Sequence, residues 1–184
     1  SSDLTHPAGS TIPVGGCTIV ISVGNKSVGT FVNVIPVGEL TTNAGSNASV
    51  AQASLAVDVY KPMIAKSFSP SGVGTSVNSQ MTVTLSNPTG ITLTGVSFTD
   101  TYPSNLKNAT PTGLNNTCGG TASATAGGTS LSLSGVTLTA GQTCTVQVNV
   151  LSTVSGNYTN MISNVASDQG TGAGTQAILS VATV

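Results

Sequence analysis

Three polar residues occupy positions where the strand pattern reserves space for apolar ones. Strand side chains alternate between faces, so in MIAKSFS (63–69) Lys66 shares its face with Ile64 and Phe68. In GVSFTDTYP, Asp100 falls in the row of Val96 and Phe98, and in GNYTNMIS, Asn160 falls between Tyr158 and Ile162. An unpaired charge is costly to bury, so Lys66 and Asp100 must meet each other or neutralise. Desolvation lowers the pKa of a lysine and raises that of an aspartate. An uncharged amine is a nucleophile, and a protonated carboxyl can donate a hydrogen bond to a carboxamide oxygen. With Asn160 beside them, the Lys66 amine can attack its Cγ and expel ammonia, leaving an isopeptide bond between the first strand and a late strand of one domain. The same residues also permit a plain buried ion pair capped by Asn160. A β-bulge in any of the three strands would instead turn one of them to solvent. Asn87, in MTVTLSNP, and Asn164 are alternative acceptors.

The elements that must position these groups are short alternating runs separated by Gly, Pro, Asn and Ser. Strands are predicted near 17–23, 29–35, 50–60, 63–69, 79–86, 91–100, 129–135, 135–140, 143–150, 156–163 and 176–184. No window carries a 3.6-residue period. Many short strands about 10 residues apart indicate an all-β, Ig-like antiparallel sandwich.

The pattern also repeats. Cys17 matches Cys144 and Asn33 matches Asn160 at a spacing of 127, and Leu55 matches Leu179 at a spacing of 124. Residues 59–184 therefore hold a complete Ig-like repeat, and residues 1–58 hold the C-terminal half of a preceding one, with Asn33 as the earlier counterpart of Asn160. The junction, Asp58-Val59-Tyr60-Lys61-Pro62, is short, and proline fixes its own φ. Half a sandwich leaves strand edges and part of a core uncovered, so another chain or a segment outside this sequence is expected to complete it.

Three cysteines fit the same scheme. Cys118, in NNTCGG, and Cys144 lie within the complete repeat, and a disulfide between them is the reading for an oxidising compartment. Cys17 occupies the place of Cys144 in the partial repeat, so its partner belongs to the missing or partner segment. Three reduced, buried thiols are the alternative.

The stretches KSFSPSGVGTSVNSQMTVTLSNPTG, LTGVSFTDTYP, TCGG, TLTAGQTCTVQV and GNYTNMI together resemble the conserved-repeat Ig-like modules found in tandem in bacterial cell-surface proteins. Those modules are related in pattern to adhesin stalk domains that carry Lys–Asn isopeptide bonds assisted by an acidic residue. The resemblance covers 59–184 fully and 10–57 in part. It implies a surface-exposed structural or adhesive protein, with Lys66 as the cross-linking lysine, Asp100 as the acidic helper and Asn160 as the acceptor.

Composition narrows the remaining classes. The chain has four Lys, no Arg and five acidic residues in 184, a net charge of −1. Phosphate binding needs clustered cations, so no nucleic-acid partner is expected. No apolar run approaches the 18 or so residues of a membrane span. No catalytic centre is expected either: the single His6 has no nucleophile motif, and no paired carboxylates, metal-ligand spacing or phosphate loop is present, so no metal and no cofactor are predicted. The expected role is an extracellular, cell-surface structural repeat of a stalk, fibre or filament, with other copies or adjacent repeats as partners through end-to-end assembly. The rival role is an adhesive module that binds glycan, ice or a host protein. It would use its loops or the outward threonine pairs Thr82 and Thr84, Thr92 and Thr94, Thr137 and Thr139, and Thr143 and Thr145.

Overall fold

Val, Ile and Thr favour the pleated, half-buried surface of a sheet, and the chain is built of strands. The computed structural model describes residues 11–23 and 28–183, and among these there is no helix. His6 lies outside the described residues. Two compact units are present, Ser1–Asp58 and Val59–Val184.

In the first unit β1 (Gly29–Ile35) pairs antiparallel with β4 (Ala51–Val57), and a small hairpin of β2 (Thr41–Thr42) and β3 (Gly45–Ser46) lies between them in sequence. The Asn47 side chain ties that connection down, accepting from Leu40 N and donating to the carbonyls of Pro36 and Ser49. None of the described residues of this unit is buried.

The strand expected at 17–23 does not form. CTIVISV is irregular, and Ile19, Val20 and Ile21 are all more than half exposed. Its counterpart in the second unit, 143–151, is a strand paired with three others that have no equivalent among the described residues of the first unit. A turn still precedes Cys17: Gly16 N donates to Pro13 O, while ahead of Cys144 Gln142 N donates to Thr139 O, one position further from its cysteine.

The second unit is a sandwich. Its strands are β5 (Met63–Ser69), β6 (Gly72–Gly74), β7 (Ser79–Ser86), β8 (Leu93–Thr101), β9 (Lys107–Asn108), β10 (Asn115–Asn116), β11 (Thr121–Ser123), β12 (Ser130–Leu138), β13 (Thr143–Leu151), β14 (Gly156–Ala166) and β15 (Thr171–Ala182). One sheet runs β10-β13-β7-β5, with β9 also on β13, and the other runs β11-β12-β8-β14-β15-β6. Alternation is clean on the first sheet, where Met81, Val83 and Leu85 of β7 and Val146, Val148 and Val150 of β13 are fully buried. From the opposite sheet Leu93, Val96, Leu131, Leu133, Ile162 and Leu179 close the core.

The runs expected at 129–135 and 135–140 merge into β12. Gly135, at φ +69°, sits where the register against β8 shifts between Leu133 and Val136. That bulge lets Leu133 and Val136 both face inward across an odd spacing. Near the start of β14 the Tyr158 hydroxyl donates to Val154 O at 2.7 Å and accepts from Ser152 Oγ at 2.9 Å, the tyrosine corner of Ig-type sandwiches.

The β1/β4 and β14/β15 pairs share one register. Gly29 opposes Val57, Phe31 opposes Leu55 and Asn33 opposes Ala53; Gly156 opposes Val181, Tyr158 opposes Leu179 and Asn160 opposes Ala177. The repeat seen in sequence is thus also a repeat of strand pairing.

Candidate functional site

The site is built across the two sheets. Lys66 projects inward from the middle of edge strand β5, opposite Val83. Asp100, near the end of β8, and Asn160, on β14, project from the facing sheet. Because each lies in an apolar row, their side chains converge inside the core rather than at its rim.

Lys66 Nζ lies 2.9 Å from Asp100 Oδ2, and both side chains are 0% exposed. Asn160, also 0% exposed, donates from Nδ2 to the same Asp100 Oδ2 at 3.0 Å and lies 3.3 Å from Met81 Sδ. One carboxylate oxygen therefore touches both the amine and the amide nitrogen. Asp100 Oδ1 and Asn160 Oδ1 are buried without a hydrogen-bond partner among the described residues.

Burial drives both ionisable groups toward their neutral forms. Desolvation holds Lys66 below the usual lysine value, against the opposing pull of Asp100. Desolvation also raises Asp100 above the usual carboxylate value, against Lys66 and the hydrogen bond from Asn160. The Tyr102 hydroxyl is pushed up too, first by burial and then by the nearby Asp100, and it donates to Asn108 Oδ1 at 2.7 Å. Moving one proton from Lys66 to Asp100 leaves the net charge of the pair unchanged and removes two charges from the core. The arrangement can thus present a neutral amine, a protonated acid and a carboxamide in contact.

The other acceptors considered from sequence are elsewhere. Asn87 is buried, but its amide donates to the carbonyls of Ile91, Leu138 and Thr139 and its oxygen accepts from Thr89, so it organises a loop. Asn164 points to solvent on β14. Asn33 is exposed on β1, with neither a lysine nor an aspartate beside it in the ladder with β4.

Cys118 and Cys144 are bonded, with Cα atoms 4.9 Å apart. Thr117 N donates to Thr145 O and Cys118 N to Asn116 Oδ1, which carries the TCGG turn onto β13. Gly120 is required there: its φ is +64°, and a Cβ would run into Ser134 O. Cys17 is free and exposed.

The threonine pairs do not make one array. Thr84 opposes Thr145 on the outside of the first sheet, while Thr94 on β8 and Thr137 on β12 belong to the second. An open groove of about 300 Å³ on the second sheet is lined by Ser97, Thr99, Ser132 and Asn164 among others and holds no titratable side chain. Among the described residues no cluster of three metal-ligating side chains occurs, and no helix is long and apolar enough to cross a membrane.

A domain family of unknown function, DUF7933, matches residues 1–57 and 62–181. The chain belongs to this family. Its two matched stretches correspond to the two units of the structure. No curated protein matches the chain in sequence. Among solved structures, a non-cellulosomal cohesin from Archaeoglobus fulgidus is similar at 10% identity and a TM-score of 0.48, over 67% of this chain and 92% of that one. A cohesin module of a Clostridium perfringens family 33 glycoside hydrolase gives 10% and 0.48, over 70% and 100%. The N-terminal domain of the Streptococcus gordonii adhesin Sgo0707 gives 12% and 0.47, over 74% of this chain and 37% of that one.

Proposed function

We propose that this chain is a structural repeat of an extracellular bacterial surface stalk, fibre or filament, whose complete unit is locked by an isopeptide bond between Lys66 and Asn160. The observation that carries this reading is the double contact of Asp100 Oδ2, 2.9 Å from the Lys66 amine and 3.0 Å from the Asn160 amide nitrogen, in a fully buried site.

Neutral Lys66 Nζ attacks Asn160 Cγ. Protonated Asp100 delivers its proton to Nδ2 and recovers one from the attacking nitrogen as the new C–N bond forms, so the Cγ–Nδ2 bond breaks and ammonia leaves. Amine plus primary amide become secondary amide plus ammonia, with no oxidant and no cofactor. The Lys66–Asp100 pair becomes a neutral amide beside a protonated Asp100, which removes the cost of holding the two charges in the core. The step happens once per molecule, so the unit modifies itself and turns nothing over.

An extracellular setting is supported by the Cys118–Cys144 disulfide, since such bonds persist in oxidising compartments. The near absence of titratable groups also fits a protein exposed to changing pH and salt, because few charges contribute to its stability. Intact mass of the unreduced chain tests the reading. A deficit of one ammonia, mapped by proteolysis to a peptide joining residues 66 and 160, is expected; a mass lacking only the two hydrogens of the disulfide leaves Lys66 and Asp100 as an ordinary ion pair.

A further inference from the structure

In the second unit the row Tyr158, Asn160, Ile162 and Leu179 is buried against residues of β5, β7 and β8. The first unit keeps the same register with Phe31, Asn33, Ile35 and Leu55, yet Ile35 is 45% and Leu55 37% exposed. Ile19 and Ile21, which match the fully buried Val146 and Val148 of β13, are 55% and 52% exposed. Every strand that pairs with β13, namely β7, β9 and β10, comes from the front half of the module. What the first unit lacks is therefore specific: strands patterned like residues 59–136, with an inward lysine, an inward aspartate and a cysteine in a glycine turn.

We propose that residues 11–23 and 28–57 are an acceptor for such a front-half segment, supplied by an adjoining repeat of the same kind, and that Asn33 and Cys17 are its covalent attachment points. The occupant follows from the match of registers and from the bonded state of Cys144, the counterpart of Cys17. On docking, 17–23 gains the ladder partners it needs and becomes a strand. The segment's lysine then attacks Asn33 Cγ and expels ammonia, as at Asn160. Its cysteine and Cys17 give up two hydrogens to a disulfide oxidant such as oxidised glutathione, which is reduced to thiol. The bond at Asn33 rests on the cross-link reading above, whereas docking and the disulfide do not.

The test is a chimera in which a copy of residues 59–136 replaces residues 1–9 and runs directly into residue 10 of the otherwise intact chain. It is compared with the parent after oxidation by glutathione. Amide exchange at 17–23 is expected to slow by at least about a hundred-fold, as for buried ladder strands, with two disulfides and a deficit of two ammonias against one in the parent. Asn33→Ala in the chimera is expected to keep the protection and lose one of the two deficits. Unchanged exchange at 17–23, with Cys17 alkylated by iodoacetamide as fast as in the parent, overturns the acceptor. Protection with the same ammonia deficit as the parent overturns the bond at Asn33. A parent without any deficit sinks the Lys66–Asn160 bond instead, and the exchange result is then read alone.

Discussion

Replacing Asp100 by Asn removes the proton carrier while keeping the size of the side chain, so the Lys66–Asn160 bond is not expected to form. Two stabilising contributions are lost. The bond closes a loop from residue 66 to residue 160, worth about 4 to 5 kcal/mol in the chain-entropy treatment of cross-links. The unbonded Lys66 amine, with a side chain 0% exposed, is also left buried without the Asp100 carboxylate, and an uncompensated buried charge costs about 3 to 5 kcal/mol. The second loss depends on pH. Burial holds the folded lysine below its ordinary value of 10.5, so between the folded value and 10.5 the unfolded chain carries the extra proton. Stability of Asp100→Asn must therefore rise with pH across that window, by at most about 1.4 kcal/mol per unit, and level off near 10.5. In the bonded parent Lys66 Nζ is an amide nitrogen and contributes no such slope. Urea unfolding from neutral to alkaline pH, with intact mass on the same samples, reads both effects. The variant Lys66→Met/Asp100→Asn carries no buried amine; it isolates the loss of the bond and remains measurable where Asp100→Asn alone does not fold. An Asp100→Asn chain that still shows the ammonia deficit, or a parent with the alkaline rise, refutes the mechanism.

Three further outcomes are expected. Reducing the Cys118–Cys144 bond, which spans 26 residues, lowers unfolding free energy by about 3 to 4 kcal/mol, checked by urea titration with and without reductant. Tyr158→Phe removes the hydroxyl from Val154 O and Ser152 Oγ and costs about 1 to 2 kcal/mol by the same titration, without changing the ammonia deficit. Under force applied to both ends of the second unit, the Lys66–Asn160 bond carries the load past residues 67–159, where both cysteines lie. Reduction therefore leaves the extension released on unfolding unchanged in the parent and lengthens it in Lys66→Met.

The proposed Lys66–Asn160 bond, with the Cys118–Cys144 disulfide inside its loop, would also place the chemistry near the ends of the unit. β5 is an edge strand of one sheet and opens the unit, whereas β14 and β15 close it on the other sheet. Pulling on the two ends would shear β5 away from β7 and β15 away from β14 and β6, the hydrogen-bonded pairs nearest the termini. A bond from β5 to β14 would carry the load covalently across residues 67–159, leaving the start of β5 on one side and residues 161–184, with β15, on the other to yield at hydrogen bonds.

Much of this was legible in the sequence, because one-sided burial makes alternation explicit. β5 and β7 begin and end where the pattern places them, and Lys66, Asp100 and Asn160 lie on the inward side of their strands. What was not legible depends on partners distant in sequence. The short strands β6, β9, β10 and β11 have two or three residues each and are defined by the neighbour they lie against, so no local period marks them. Asn87 resembled a free carboxamide until the carbonyls of Leu138 and Thr139, some fifty residues away, were seen to claim it. CTIVISV makes the point most directly. It alternates as well as TCTVQVNV does, with stronger β-formers, yet only the latter is a strand, because β7, β9 and β10 are there to pair with it. Strand propensity is a property of a pair of segments rather than of one. The irregularity of 17–23 thus goes with the lack of any strand paired to it among the described residues.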